Sequence, residues 1–154
     1  MEKSEKNFLE KFADVIPGLS GYRAREDRRE TDKRLREYLG GRVDMIRGKL
    51  DDVKLALTNQ GNLAALNDVG LLQRKLQQLG DSIRFATYGY TGVFDQLKIK
   101  EPELDAIYSK DLALASSIEQ LDKAVSAGDV AGASSAAASA QEIFSQRKTL
   151  FDAP

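Results

Sequence analysis

Arg84, Tyr88, Tyr90, Phe94 and Asp95 fall within one short stretch, and three of the five are aromatic. Rings beside a guanidinium and a carboxylate can build an amphipathic pocket or a protein-binding hot spot. The same residues can also plug the end of a core, with the tyrosine hydroxyls satisfied at its rim. A second group is basic: Arg23, Arg25, Arg28, Arg29, Lys33, Arg34 and Arg36. Such a run can receive lipid headgroups or nucleic-acid phosphates. Glu26, Asp27, Glu30 and Asp32 interleave with it, however. Glu30 with Arg34 and Asp32 with Arg36 stand at i,i+4, a spacing that suits a solvated helix face.

Much chemistry is closed to this composition. There are 154 residues, no histidine and no cysteine. The commonest general base and metal ligand at neutral pH is therefore missing, as are disulfides and thiolate metal sites. Di-iron helical bundles use Glu-x-x-His pairs, which cannot form here. No glycine-rich phosphate loop, nucleophile elbow or calcium loop occurs. No metal or cofactor is implied, and a carboxylate- or tyrosine-based enzyme is the residual catalytic option. The net charge of −1 argues against a dedicated nucleic-acid binder. No run of apolar residues is long enough to cross a bilayer. The first residues have no apolar core of signal-peptide type, so a cytoplasmic location is the expectation.

The elements that must carry these residues are helical. Residues 4–16 form an amphipathic segment with Phe8, Phe12, Val15 and Ile16 on one side, ended by Pro17-Gly18. A long helix is expected from about Arg23 to Asn59, with Leu35, Leu39, Val43, Ile46, Leu50, Val53 and Leu57 close to a heptad seam. Gly40-Gly41 should bend it, admit a close helix contact, or break it. A third helix from about Leu63 to Tyr88 repeats Leu66, Val69, Leu72, Leu76, Leu79 and Ile83. Residues 89–100 are irregular yet apolar and read as a loop across one end. A fourth helix starts near Pro102 and stops at Gly128. Asp129 caps a fifth, running to about Phe151, whose small residues at 131–140 should pack tightly against a neighbour.

Two stretches carry a resemblance. They are Ile16-Pro17-Gly18-Leu19-Ser20-Gly21-Tyr22 leading into Arg25-Glu26-Asp27-Arg28-Arg29-Glu30-Thr31-Asp32, and Arg84-Phe85-Ala86-Thr87-Tyr88-Gly89-Tyr90-Thr91-Gly92-Val93-Phe94-Asp95. Together they resemble a family of small bacterial helical proteins, often encoded near membrane-associated band-7-type (SPFH) proteins. The resemblance covers roughly residues 15–125 and implies no catalytic residues. It does imply that the Pro-Gly stretch and the aromatic stretch are shared features that meet in space.

The expected fold is all-α: an up-and-down helical bundle of three to four long antiparallel helices plus a short N-terminal one. Residues 1–154 form a single domain, with 1–22 the N-terminal helix and linker and 129–154 the Ala/Ser-rich C-terminal helix. The expected function is non-catalytic: an interaction or scaffold protein, with a protein partner or a second copy covering leftover apolar stripe. One alternative is peripheral contact with an anionic membrane through Arg23, Arg25, Arg28, Arg29 and Lys33. The other is a small-ligand binder or enzyme at residues 84–95.

Overall fold

The computed structural model describes residues 28–86 and 101–152; within them, the side chains of residues 28–31, 101–105, 108 and 150–152 are not described. Four helices fill these residues, without strands: α1 (Arg28–Gln60), α2 (Leu63–Arg84), α3 (Glu101–Ser126) and α4 (Val130–Asp152). The expected helix over 4–16, its linker and the loop over 89–100 lie outside the described residues.

The chain forms an all-α bundle because each helix carries its apolar residues in heptad phase. Leu39, Val43, Ile46 and Leu50 of α1 are buried against Val69, Leu72, Leu76, Leu79 and Ile83 of α2. Leu114, Ile118, Leu121 and Val125 of α3 complete the interior with α4. There Ala133, Ala136, Ala137 and Ala140 are buried, so the small-residue stretch is a tight helix contact.

Each helix runs opposite to its neighbour in sequence. α1 packs along α2 and α3 along α4, and the two pairs meet through α1–α3 and α2–α4. Ion pairs from Arg42 to Glu119 and from Lys49 to Asp122 show that α1 and α3 lie side by side and parallel. α2 and α3, expected as antiparallel neighbours, are therefore antiparallel but diagonal.

Gly40-Gly41 does not break α1. A Cβ at Gly40 would already touch the Arg84 side chain at 3.4 Å, so the glycine marks a close approach of α2. The turn between α3 and α4 needs Gly128, whose φ of 73° is left-handed. Asp129 then caps α4 as expected, its carboxylate accepting from the Gly132 amide at 2.9 Å. Gly128→Ala is expected to cost roughly 1–2 kcal/mol, read as a lowered midpoint in chemical denaturation with an unchanged slope.

α2 ends at Arg84, four residues short of the expected Tyr88. A guanidinium caps its last turn. Arg36 of α1 donates to the carbonyls of Ile83 (3.5 Å) and Arg84 (2.9 Å). Carbonyls of a last turn need such outside donors once the helix stops.

Candidate functional site

Asp32 and Arg36 were expected on a solvated face. They are instead buried, at 6 % and 7 % exposure. Their positions explain this: 32, 36, 39, 43, 46 and 50 continue one heptad seam, so the two charges sit in phase with the core. The seams of the other pair meet them. Asp111 fills the gap between Ile107 and Leu114 on α3, and Arg147 follows Phe144 on α4. Both are buried.

These four residues form one network at the end of the bundle where α2 stops. Arg36 Nε donates to Asp32 Oδ2 at 2.9 Å. Arg147 reaches across the bundle diagonal from α4, giving Nη2–H to Asp32 Oδ1 and Nε–H to Asp111 Oδ1. Among the described residues, two guanidinium and two carboxylate groups meet here, the pairing that buried ions require. Burial nevertheless pushes the Asp111 carboxyl up to about 6; the pull of the Arg147 guanidinium opposes this, and the Asp32 carboxylate adds to it. Burial pulls Arg147 down, but Asp111 and Asp32 outweigh it and hold the guanidinium above its ordinary value. The network thus ties α1, α3, α4 and the end of α2 together.

Arg84 borders this end. Its Nη2 bonds to Asp44 Oδ2, and its guanidinium carbon lies 6.0 Å from the Phe85 ring centre. It serves as a half-exposed tie from α2 to α1. Tyr88, Tyr90, Phe94 and Asp95 lie outside the described residues, as do Arg23, Arg25 and the side chains of Arg28 and Arg29. Lys33 is exposed on α1. Asp32 and the Arg84 carbonyl, the described ends of the two stretches quoted above, meet through Arg36.

Among the described residues, α1 and α2 outrun α3 and α4 at the other end of the bundle. Lys49 pairs with Asp122 at 2.5 Å and reaches Ser126, the last residue of α3. α1 continues to Gln60. At about 1.5 Å per residue, the α1–α2 hairpin projects roughly 16 Å beyond that level. Val53, Leu57 and Leu66 keep the seam spacing there but are only half-buried. Leu55 and Leu63 are 62 % and 75 % exposed. An open groove of about 510 Å³ lies on this tip, lined by Lys54, Thr58, Leu63, Leu66, Asn67, Gly70 and Arg74. Sequence reasoning placed Val53, Leu57 and Leu66 on the seams, and Val53 and Leu57 do pack against the edge of the core. The signal for the tip was helix length: α1 outruns α3, the helix parallel to it.

Among the described residues, no cluster of three or more acidic side chains is placed to hold a metal ion, and no helix is long and apolar enough to cross a membrane. Comparison of the chain with protein-family models, curated proteins and solved structures finds no match. The functional reading therefore rests on the chemistry of these two ends.

Proposed function

We propose that the protein is a non-catalytic interaction module whose working surface is the projecting α1–α2 tip. The observation that carries this is the incomplete burial of a seam that remains in heptad register. Val53, Leu57 and Leu66 present the spacing that elsewhere in the chain buries a further helix, yet neither α3 nor α4 extends over them. The fitting occupant is one amphipathic helix of a partner protein, laid in the groove by its apolar stripe. Lys54 and Arg74 in the groove wall are placed to meet its acidic residues. Each leucine fully buried on docking contributes about 1.5–3 kcal/mol before the entropy of association is subtracted.

Photo-cross-linking residues placed one at a time at Thr58, Leu63 and, as a control, the exposed Gln120 of α3 test the reading in native extract. The two tip positions are expected to trap one common protein that position 120 does not. Thr58→Glu combined with Leu63→Glu is expected to abolish the complex, with the unfolding midpoint close to that of the parent. Equal trapping at all three positions, or a complex indifferent to the double change, would refute the tip as the working surface.

A further inference from the structure

The groove on the α1–α2 tip has two unlike ends. Gln73 of α2 donates to the Arg47 carbonyl at 3.3 Å and to the Asp51 carboxylate at 3.0 Å, tying the two helices together on the bundle side of the groove. Arg74 follows Gln73 directly, and Lys54 stands one turn beyond Asp51. Leu63, the first residue of α2, lies at the other end, about 15 Å nearer the tip at 1.5 Å per residue. Both cations of the groove therefore sit toward the bundle, and its exposed leucine sits toward the tip. Earlier on α1, Arg42, Arg47 and Lys49 each reach a carboxylate. Lys54 and Arg74 reach none among the described residues. Gly70 lies between the two ends, and a Cβ there would meet nothing within 4 Å.

This layout gives the groove a direction. The carbonyl end of a helix carries a partial negative charge and its amide end a partial positive one. Lys54 and Arg74 therefore favour the last turn of a docked helix over its first. Acidic side chains in that last turn add charge-assisted hydrogen bonds to the two cations. Acidic side chains in a first turn would instead set the same cations against the amide end. The turns before the last one reach Leu66 and Leu63, where large apolar side chains are buried. Over Gly70 the docked backbone can come close, as it could not over a larger residue. We infer that the helix received by this groove runs from the tip toward the bundle, parallel to α2, with an acidic last turn against Lys54 and Arg74 and apolar residues over Leu63 and Leu66. This rests on the reading of the tip as the working surface and adds the direction and the charge of its occupant.

The test titrates the full chain with synthetic two-heptad peptides, capped at both ends and stapled on the outer face so that all are equally helical. Each carries the same leucine stripe. The first has two glutamates in its last turn, the second has them in its first turn, and the third has lysines in its last turn. By fluorescence anisotropy the first peptide is expected to bind at least fivefold more tightly than the second and at least tenfold more tightly than the third. Lys54→Glu with Arg74→Glu is expected to reverse the order of the first and third, and Leu63→Glu to weaken all three. Gly70→Leu is expected to weaken the first peptide at least tenfold. Direction is read separately. The chain has no cysteine and no tryptophan, so a nitroxide on Gln60→Cys at the tip can quench a tryptophan carried by the peptide. Quenching should be stronger for a tryptophan at the peptide's first residue than at its last. Equal affinity of the three peptides, or stronger quenching at the last residue, overturns the inference and leaves the tip as a docking surface if Leu63→Glu still weakens binding. Failure of every peptide to bind, or binding that ignores Leu63→Glu, overturns the tip reading and the inference with it.

Discussion

Arg147→Met is expected to lower the unfolding free energy by about 3–5 kcal/mol at neutral pH. The side chain it removes bonds both Asp32 and Asp111. Its loss strands the Asp111 carboxylate in the interior and leaves Asp32 with Arg36. Coulomb attraction offsets the cost of taking these charges out of water only while the set is complete. The deficit should shrink as the pH falls from neutral toward about 6, because without the Arg147 guanidinium the Asp111 carboxyl binds its proton at a higher pH than in the parent. Urea denaturation of parent and variant at neutral and acidic pH measures both parts. Replacing all four residues with apolar ones of similar size is expected to leave stability unchanged or raise it. A loss below about 1 kcal/mol for Arg147→Met would mean that the guanidinium does not bridge the two carboxylates.

The second large effect is a pH dependence with an uncommon sign. Burial holds the folded Asp111 carboxyl near 6, against 3.8 ordinarily. The folded chain therefore binds this proton more tightly than the unfolded chain does. Stability from this group is full below about 4, is lost as the pH rises through about 6, and stays level above that. The span corresponds to a change on the order of 3 kcal/mol. Asp122 acts in the opposite direction. Burial pushes its carboxyl up, but hydrogen bonds and charge from Lys49 and Arg42 outweigh this and hold it below the ordinary value. Its contribution is present at neutral pH and fades in acid. Comparison with Asp111→Asn isolates the first group. The stability of the parent relative to the variant is expected to fall between pH 4 and about 6.5 and then level off. A relative stability that rises across that interval would show that the ion pair, not burial, controls Asp111.

The two effects bear on why a bundle would keep charge in its core. An all-leucine layer at positions 32, 36, 111 and 147 would pack in several registers with little penalty. Paired arginines and aspartates tolerate only the arrangement in which each finds its partner, as buried polar groups do in some coiled coils. Here the network lies at the end of the bundle where α2 stops. That is the point where a helix could most easily pair with the wrong neighbour.

Sequence alone determined the helices, their seams and most of their ends, because heptad spacing and capping are local properties of the chain. Leu72, Leu76 and Leu79 had to face inward whatever lay opposite them, and Asp129 could cap α4 without tertiary help. The charged layer was also written there, as Asp32, Arg36, Asp111 and Arg147 keep the phase of the seams, but charge suggested solvent and so hid the signal. Tertiary structure decided the rest. Only packing made α3 the neighbour of α1, brought Arg147 across the diagonal to Asp32, and supplied a donor from Arg36 to the last carbonyls of α2. It also left Val53, Leu57 and Leu66 half-covered, since how far one helix outruns another depends on where distant segments dock. Spacing along one helix specifies which side chains want to be buried; the helix that buries them is chosen by contacts between residues far apart in the chain.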